Sequence, residues 1–359
     1  MDPQGGVREA FGDSSLFSEV QAAVDIVTRA SKLCASVVEG ASVSKSFKED
    51  LSPVTIVDYV VQGLVEQELK ARGLVTPEIP LIAEEDTQEI ESHFDSSEVD
   101  RFHRLVDTYA AAAPPGPSRE SGVPTSAERF WVLDPIDGTK GVVSTNRDDQ
   151  FVIGLALIEG GRPILGVNGM PNWCNWSLQS ARGTNQRNGV VMAAVQGCGT
   201  HLFGVEDEDL DNVPFAGGGR VVVDSAPSFD RGTLLISKRQ EWDAASLPLA
   251  RGYGQDASPR AVVKSCCGSL TKYAAVAMGL ASAYVEHPVG GKRELKAWDH
   301  ASGVVCVTEA GGAVTDLEGN VLEFERGPRF KPKELGVVCS NANFHQDLLD
   351  KLRRGLDFV

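Results

Sequence analysis

Six consecutive residues, Asp134-Pro135-Ile136-Asp137-Gly138-Thr139, carry the densest chemistry in the chain. They follow the apolar run Phe130-Trp131-Val132-Leu133. If that run is a strand, both carboxylates project from its end, and the N–H groups around Gly138 and Thr139 point at the same spot. Hard cations such as Mg²⁺ take oxygen ligands and usually keep several waters. Two aspartates three residues apart, with the Ile136 carbonyl between them, suit that demand. A phosphate could then be shared between metal and N–H groups. The competing reading is an Asp-rich turn with Asp134 as a cap.

Two further acidic places stand apart in sequence. Glu84, Glu85 and Asp86 end the apolar stretch Leu81-Ile82-Ala83, and Asp299 stands between Trp298 and His300 just before small residues. Taken singly, the first reads as a solvated loop and the second as a helix N-cap. His300 has one acidic neighbour and no triad partner, which points to a structural histidine.

The elements that must position these groups follow from periodicity. Apolar residues at Leu16, Val20, Val24, Val27, Leu33 and Val37 predict a helix, as do Val57, Val60, Val61, Leu64, Val65 and Leu69. Asp58 falls at the start of the second helix, off its apolar stripe. Leu81–Ala83 and Phe130–Leu133 read as strands; Phe151–Ile158 and Pro163–Val167 read as a hairpin across Glu159-Gly160-Gly161-Arg162. Ala110–Glu128, rich in Pro, Ser and Gly, reads as a surface loop. Beyond an acidic run near 205–212, further strands alternate with helices at Ser269–Met278 and Ala301–Ala310; Gly311-Gly312 stops the latter. The division expected is an N-terminal α+β subdomain, 1–200, carrying most metal ligands, and a C-terminal α/β subdomain, 201–359, with Asp299 and the specificity segment. The active site lies between them.

A formal net charge of −16 excludes a general nucleic-acid polymer or anionic-membrane binder. It permits a small phosphorylated substrate where metal ions or lysines reverse the sign locally. Seven cysteines without a C-x-x-C pair predict reduced thiols in an intracellular, cytoplasmic protein, with Cys266 and Cys267 as buried filler. No signal peptide and no apolar run of ~20 residues is visible, so neither secretion nor a membrane span is expected. A monomer is the expected state.

Taken together, SPVTIVDY (Ser52–Tyr59), IAEED (Ile82–Asp86), DPIDGTKG (Asp134–Gly141), WDHASG (Trp298–Gly303) and TEAGG (Thr308–Gly312) resemble the inositol monophosphatase superfamily, in the same order. The resemblance runs from about Leu16 to the C-terminus. It implies an α/β (mixed α+β) fold, an αβαβα layered sandwich of two subdomains. It implies Mg²⁺, two or three ions per site, held by Glu84, Asp134, Asp137, Asp299 and the Ile136 carbonyl, with Glu85 in support. It also implies that Asp58 and Thr139 orient and deprotonate the attacking water, and that lithium inhibits.

Within the superfamily, SPVTIVDY, LDPIDGTKG and Lys296-Ala-Trp-Asp-His are most similar to the 3′(2′),5′-bisphosphate nucleotidase branch. GSLTKY (Gly268–Tyr273) resembles the segment where that branch binds nucleotide through a serine and a lysine, here Ser269 and Lys272; Gly138, Thr139 and Lys296 complete the implied substrate contacts. Two departures stand against it. Tyr284-Val285-Glu286-His287-Pro288 places a glutamate where the branch has an arginine, and SKRQEWD replaces an expected His-rich stretch, leaving Trp242 to stack on a base. Glu286 instead resembles the glutamate with which inositol monophosphatases hold substrate hydroxyls. The implied activity is hydrolysis of adenosine 3′,5′-bisphosphate to AMP and phosphate. The alternatives are an inositol monophosphatase or inositol polyphosphate 1-phosphatase-like activity and a non-catalytic binding protein of this fold; the presence of Asp58, Thr139 and all metal aspartates weighs against the last.

Overall fold

The computed structural model describes residues 3–40, 45–47, 53–111, 128–144, 149–173, 189–205, 219–237, 260–265, 267–286, 295–325, 327, 329–330 and 336–356. Cys266, His287, Pro288, Trp242 and the stretch 112–127 lie outside them.

Side-chain alternation along the strands builds the layers. In the strand Arg129–Asp137, Trp131 and Leu133 pack with the helices Phe17–Gly40 and Ile56–Ala71. Their neighbours Phe130 and Val132 face the opposite way, towards the helices Leu270–Ala277 and Ala301–Glu309. Those two helices also cover Leu235, Tyr284, Val337 and Cys339 of a second sheet. On that sheet's far face, Leu234, Ile236, Ala283, Val285 and Val338 pack against Leu348, Leu349 and Leu352 of the helix His345–Leu356. Helices, sheet, helices, sheet and helix follow in order, which is the expected αβαβα sandwich.

Among the described residues the first sheet has seven strands. Leu81–Ala83 runs parallel to Arg129–Asp137, and an antiparallel meander continues through Val152–Glu159, Arg162–Met170, Val190–Val195, Gly199–Gly204 and Arg220–Val221. Among the same residues the second has five, in the order Ala261–Ser265, Thr233–Ser237, Ala283–Glu286, Val337–Asn341, Gly312–Thr315. Its first three strands are parallel and its last two pair antiparallel.

Both expected amphipathic helices form, as Phe17–Gly40 and Ile56–Ala71. A cluster of ion pairs joins them: Arg29 and Arg72 both engage Glu68 and Asp25. The hairpin Val190–Val195/Gly199–Gly204 and the helices Ser96–Ala111 and His345–Leu356 are additions to the sequence reading.

Candidate active site

In a regular strand, residues three apart point to opposite faces. Asp134 and Asp137 break that rule because the strand is bulged between them. Asp134 pairs with Gly154 and Asp137 with Val152, so three steps on one strand match two on its partner. One extra residue resets the alternation and brings both carboxylates to one side. Pro135 sits inside the bulge, where its missing N–H interrupts no ladder bond. The chain then turns at Gly138, whose φ of 90° is left-handed. A Cβ there would also lie 2.8 Å from the Cys267 carbonyl carbon, so glycine is required on two counts.

Asp134, Asp137 and Asp299 come together with ligand atoms within 4.8 Å of one another. Asp134 and Asp137 are buried and Asp299 is half-buried. The Asp134 Oδ1 accepts the Ile136 N–H at 3.0 Å, whereas its buried Oδ2 accepts nothing among the described residues. Burial, then Glu84, Asp137 and Asp299, push the Asp134 carboxyl well above the usual range. Burial raises Asp137 to about 7, against the pull of Lys272 and the N–H groups of Leu270 and Ser269. Crowded carboxylates with an orphaned buried oxygen and only oxygen donors fit a hard divalent cation. Half-buried Glu84 faces Asp134, outside the tight group of three.

Asp58 departs from expectation. It is fully buried, not merely off a stripe, because the helix start is enclosed on all sides. Its Oδ2 reaches back to the Thr55 N–H at 2.9 Å, as in a capping box, and also accepts the Thr55 hydroxyl at 2.5 Å. Its Oδ1 accepts the Thr139 hydroxyl at 3.1 Å. The two residues, 81 apart in sequence, therefore form a pair. The Ile136 carbonyl is 3.3 Å from the same hydroxyl.

One helical turn beyond Asp58, buried Gln62 clamps the acidic loop. Its amide oxygen accepts the Glu85 N–H at 3.0 Å and its amide nitrogen donates to the Glu85 carbonyl. Sequence reading missed Gln62. The available signal was two polar residues four apart within the otherwise apolar stretch Ile56–Val65 of that helix.

The Ser269 segment lies directly against the carboxylates. Asp137 accepts the Ser269 N–H at 3.1 Å and the Leu270 N–H, and its carboxylate fills the space a Gly268 side chain would need. Buried Lys272 donates to the Gly268 carbonyl and lies 5.3 Å from the Tyr284 ring centroid. The Ser269 hydroxyl donates to the Glu286 Oε2 at 3.0 Å. Lys296 lies over Trp298, 5.5 Å from the ring centroid, and its carbonyl accepts the Asp299 N–H. His300 is the N-cap residue of Ala301–Glu309, buried, with Nδ1 2.9 Å from the Tyr273 hydroxyl.

The expectation of uniformly reduced thiols is corrected here. Cys34, Cys198, Cys306 and Cys339 are free, but Cys267 is disulfide-bonded, to a partner outside the described residues. Bridging depends on how close the fold brings two Cα atoms, which cysteine spacing alone does not reveal.

The model of the inositol monophosphatase family matches residues 16–356. A 3′(2′),5′-bisphosphate nucleotidase of Oryza sativa is 33% identical, covering 92% of each chain. One of Dictyostelium discoideum is 31% identical over 87% of this chain and 89% of its own. Among solved structures, a Thermotoga maritima IMPase superposes with a TM-score of 0.60 at 18% identity, covering 93% of this chain and 96% of that one.

Proposed function

The chain belongs to the inositol monophosphatase family, and from that premise we propose that it is a Mg²⁺-dependent 3′(2′),5′-bisphosphate nucleotidase, releasing phosphate from adenosine 3′,5′-bisphosphate. The observation that carries the reading is the Thr139–Asp58 pair beside the three crowded aspartates. In this reading Glu84, Asp134, Asp137, Asp299 and the Ile136 carbonyl hold two or three ions, with Glu85 behind them. When bound, those cations supply positive charge to the phosphate and to the attacking water.

The rest is done by the chain itself. Asp58 keeps one oxygen pinned by Thr55 and accepts a hydrogen bond from the Thr139 hydroxyl on the other. The Thr139 oxygen then presents its lone pairs to a water O–H, which aims that water's oxygen at phosphorus. As the P–O bond to water forms, the proton moves through Thr139 towards Asp58, and the ester oxygen departs with the electron pair of the broken P–O bond and takes a proton from solvent water. Gly138 and Thr139 N–H groups face the phosphate, and Ser269, Lys272, Glu286 and Lys296 face the remainder of the substrate. The subdomains 1–200 and 201–359 supply the two sides of the cleft. A monomer in the cytoplasm completes the reading; among the described residues no helix is long and apolar enough to cross a membrane.

Glu286 favours a second reading. A buried carboxylate beside Ser269 suits a polyol's hydroxyls better than a second phosphate. Phosphate release from adenosine 3′,5′-bisphosphate and inositol 1-phosphate, each with Mg²⁺ and with EDTA, separates the two. Preferential Mg²⁺-dependent turnover of the nucleotide is expected. Preference for the inositol ester would move the assignment to the second reading, and no release from either would end both.

A further inference from the structure

Tyr284 was not among the expected contacts, yet it touches all three side chains of the Ser269 segment's wall. It lies in the strand Ala283–Glu286, two residues before Glu286, and is buried with 1% exposure. Its hydroxyl donates to the same Glu286 Oε2 that accepts the Ser269 hydroxyl, and stands 3.4 Å from the Ser269 oxygen. Its ring supports the Lys272 ammonium at 5.3 Å and is itself held by an edge contact from Tyr273, 5.5 Å between centroids at 79°. A tyrosine needed only as apolar filler has no use for a hydroxyl at this place.

We propose that Tyr284 is a positioning residue for substrate selection, fixing Glu286 and Ser269 through its hydroxyl and Lys272 through its ring. This rests on the phosphomonoesterase reading above. Tyr284 stays a donor, because burial and then the Glu286 carboxylate raise its pKa well above the ordinary value. With the Ser269 proton also given to Glu286, the Ser269 oxygen offers a ligand lone pairs only. The Ser269–Glu286 pair therefore accepts hydrogen bonds from substrate hydroxyl or amino groups, and Lys272 is the cation of this wall. The group selected is the donor-bearing part of the substrate, not the phosphate being removed.

The test compares adenosine 3′,5′-bisphosphate, which keeps a 2′-hydroxyl and an exocyclic amino group as donors, with p-nitrophenyl phosphate, which has none beyond its phosphate. Tyr284→Phe keeps the ring and loses the hydroxyl. It should raise KM for the nucleotide about 10-fold, the worth of one hydrogen bond to a charged group. Its kcat should stay within about 3-fold, and both constants for p-nitrophenyl phosphate should match wild type. Ser269→Ala should raise the nucleotide KM by a similar factor, and the double variant should be no worse on the nucleotide than the poorer single one. Multiplying effects, an unchanged nucleotide KM, or equal losses on both substrates would overturn the role of Tyr284. Should Tyr284→Phe not fold, an unchanged nucleotide KM in Ser269→Ala overturns it equally. Wild-type enzyme inert towards both substrates would instead sink the phosphomonoesterase reading.

Discussion

Two buried polar clusters, one in the cleft and one beneath the C-terminal helix, show opposite ways of placing polar atoms inside a protein. Under the helix His345–Leu356, the ring of His345 lies between the hydroxyls of Thr315, 2.9 Å away, and Ser340, 2.7 Å away. Those hydroxyls also reach the carbonyls of Asp316 and Asn341. Burial lowers the His345 pKa to about 4, so the ring is neutral, giving one N–H and taking one hydroxyl proton. Each hydroxyl has one proton, so the one that donates to the ring leaves its carbonyl to backbone partners, and every ring and hydroxyl atom still has a partner inside the cluster. In the cleft, by contrast, Asp134, Asp137 and Asp299 present acceptors to acceptors, and burial raises Asp134 and Asp137. Closure there needs a cation from outside. Buried polar atoms whose partners match serve the fold; those whose partners do not match mark the place where something binds.

The largest effect should come from the unmatched cluster. Asp134→Asn should lower kcat about 10³-fold, the upper end for losing one key electrostatic group. The same variant should raise the melting temperature of the metal-free protein, measured in EDTA, because one repelling charge has gone. The sign follows from linkage: carboxyls raised in the folded state hold protons that the unfolded chain gives up near its ordinary pKa. Metal-free stability should therefore decline as pH climbs from about 4 towards the Asp137 value of about 7. A stabilised variant that kept its activity would break the contrast between the clusters.

Next in size, Asp58→Asn and Thr139→Ala should each reduce kcat about 100-fold with little change in KM, since their work is done in the transition state. Asp58 mixes the two kinds of polar group: Thr55 satisfies one oxygen, and the other reaches Thr139 at the cleft. Steady-state kinetics of the double variant sharpen this. A loss equal to either single loss supports one proton path, and a product of the two means independent roles.

The smallest effect should belong to the matched cluster. With His345 near 4 when folded and near 6.5 when unfolded, falling pH protonates the unfolded chain first. Stability should drop by about 1.6 kcal/mol between pH 6.5 and 5, the slope steepening towards about 1.4 kcal/mol per pH unit. His345→Gln should flatten that slope in urea titrations of the Mg²⁺-loaded protein while kcat holds. A slope unchanged by the substitution would remove His345 from the matched set.

Much of this protein is determined by its sequence alone. The 3.6-residue pattern of Leu16–Leu69 dictates two amphipathic helices, because an apolar stripe must be buried whatever the neighbours. The motifs Asp134–Thr139 and Trp298–Gly303 determine the family and hence the layering. Local carboxylate spacing admits a cation site as well as an Asp-rich turn, and only the motifs taken together favour the former. Tertiary structure decided the rest, because it depends on contacts between residues remote in the chain. Asp134 and Asp137 share a side only through a bulge defined by pairing with Val152–Glu159. Gln62 holds Glu85 and Asp58 meets Thr139 only because the helix Ile56–Ala71 packs beside the strand that carries the motif. Tyr284 and Glu286 sit two apart, so strand alternation alone puts them on one face. That the face meets Ser269 and Lys272, and so becomes a wall of the cleft, follows from the helix Leu270–Ala277 being clamped between the two sheets, burying apolar side chains on both.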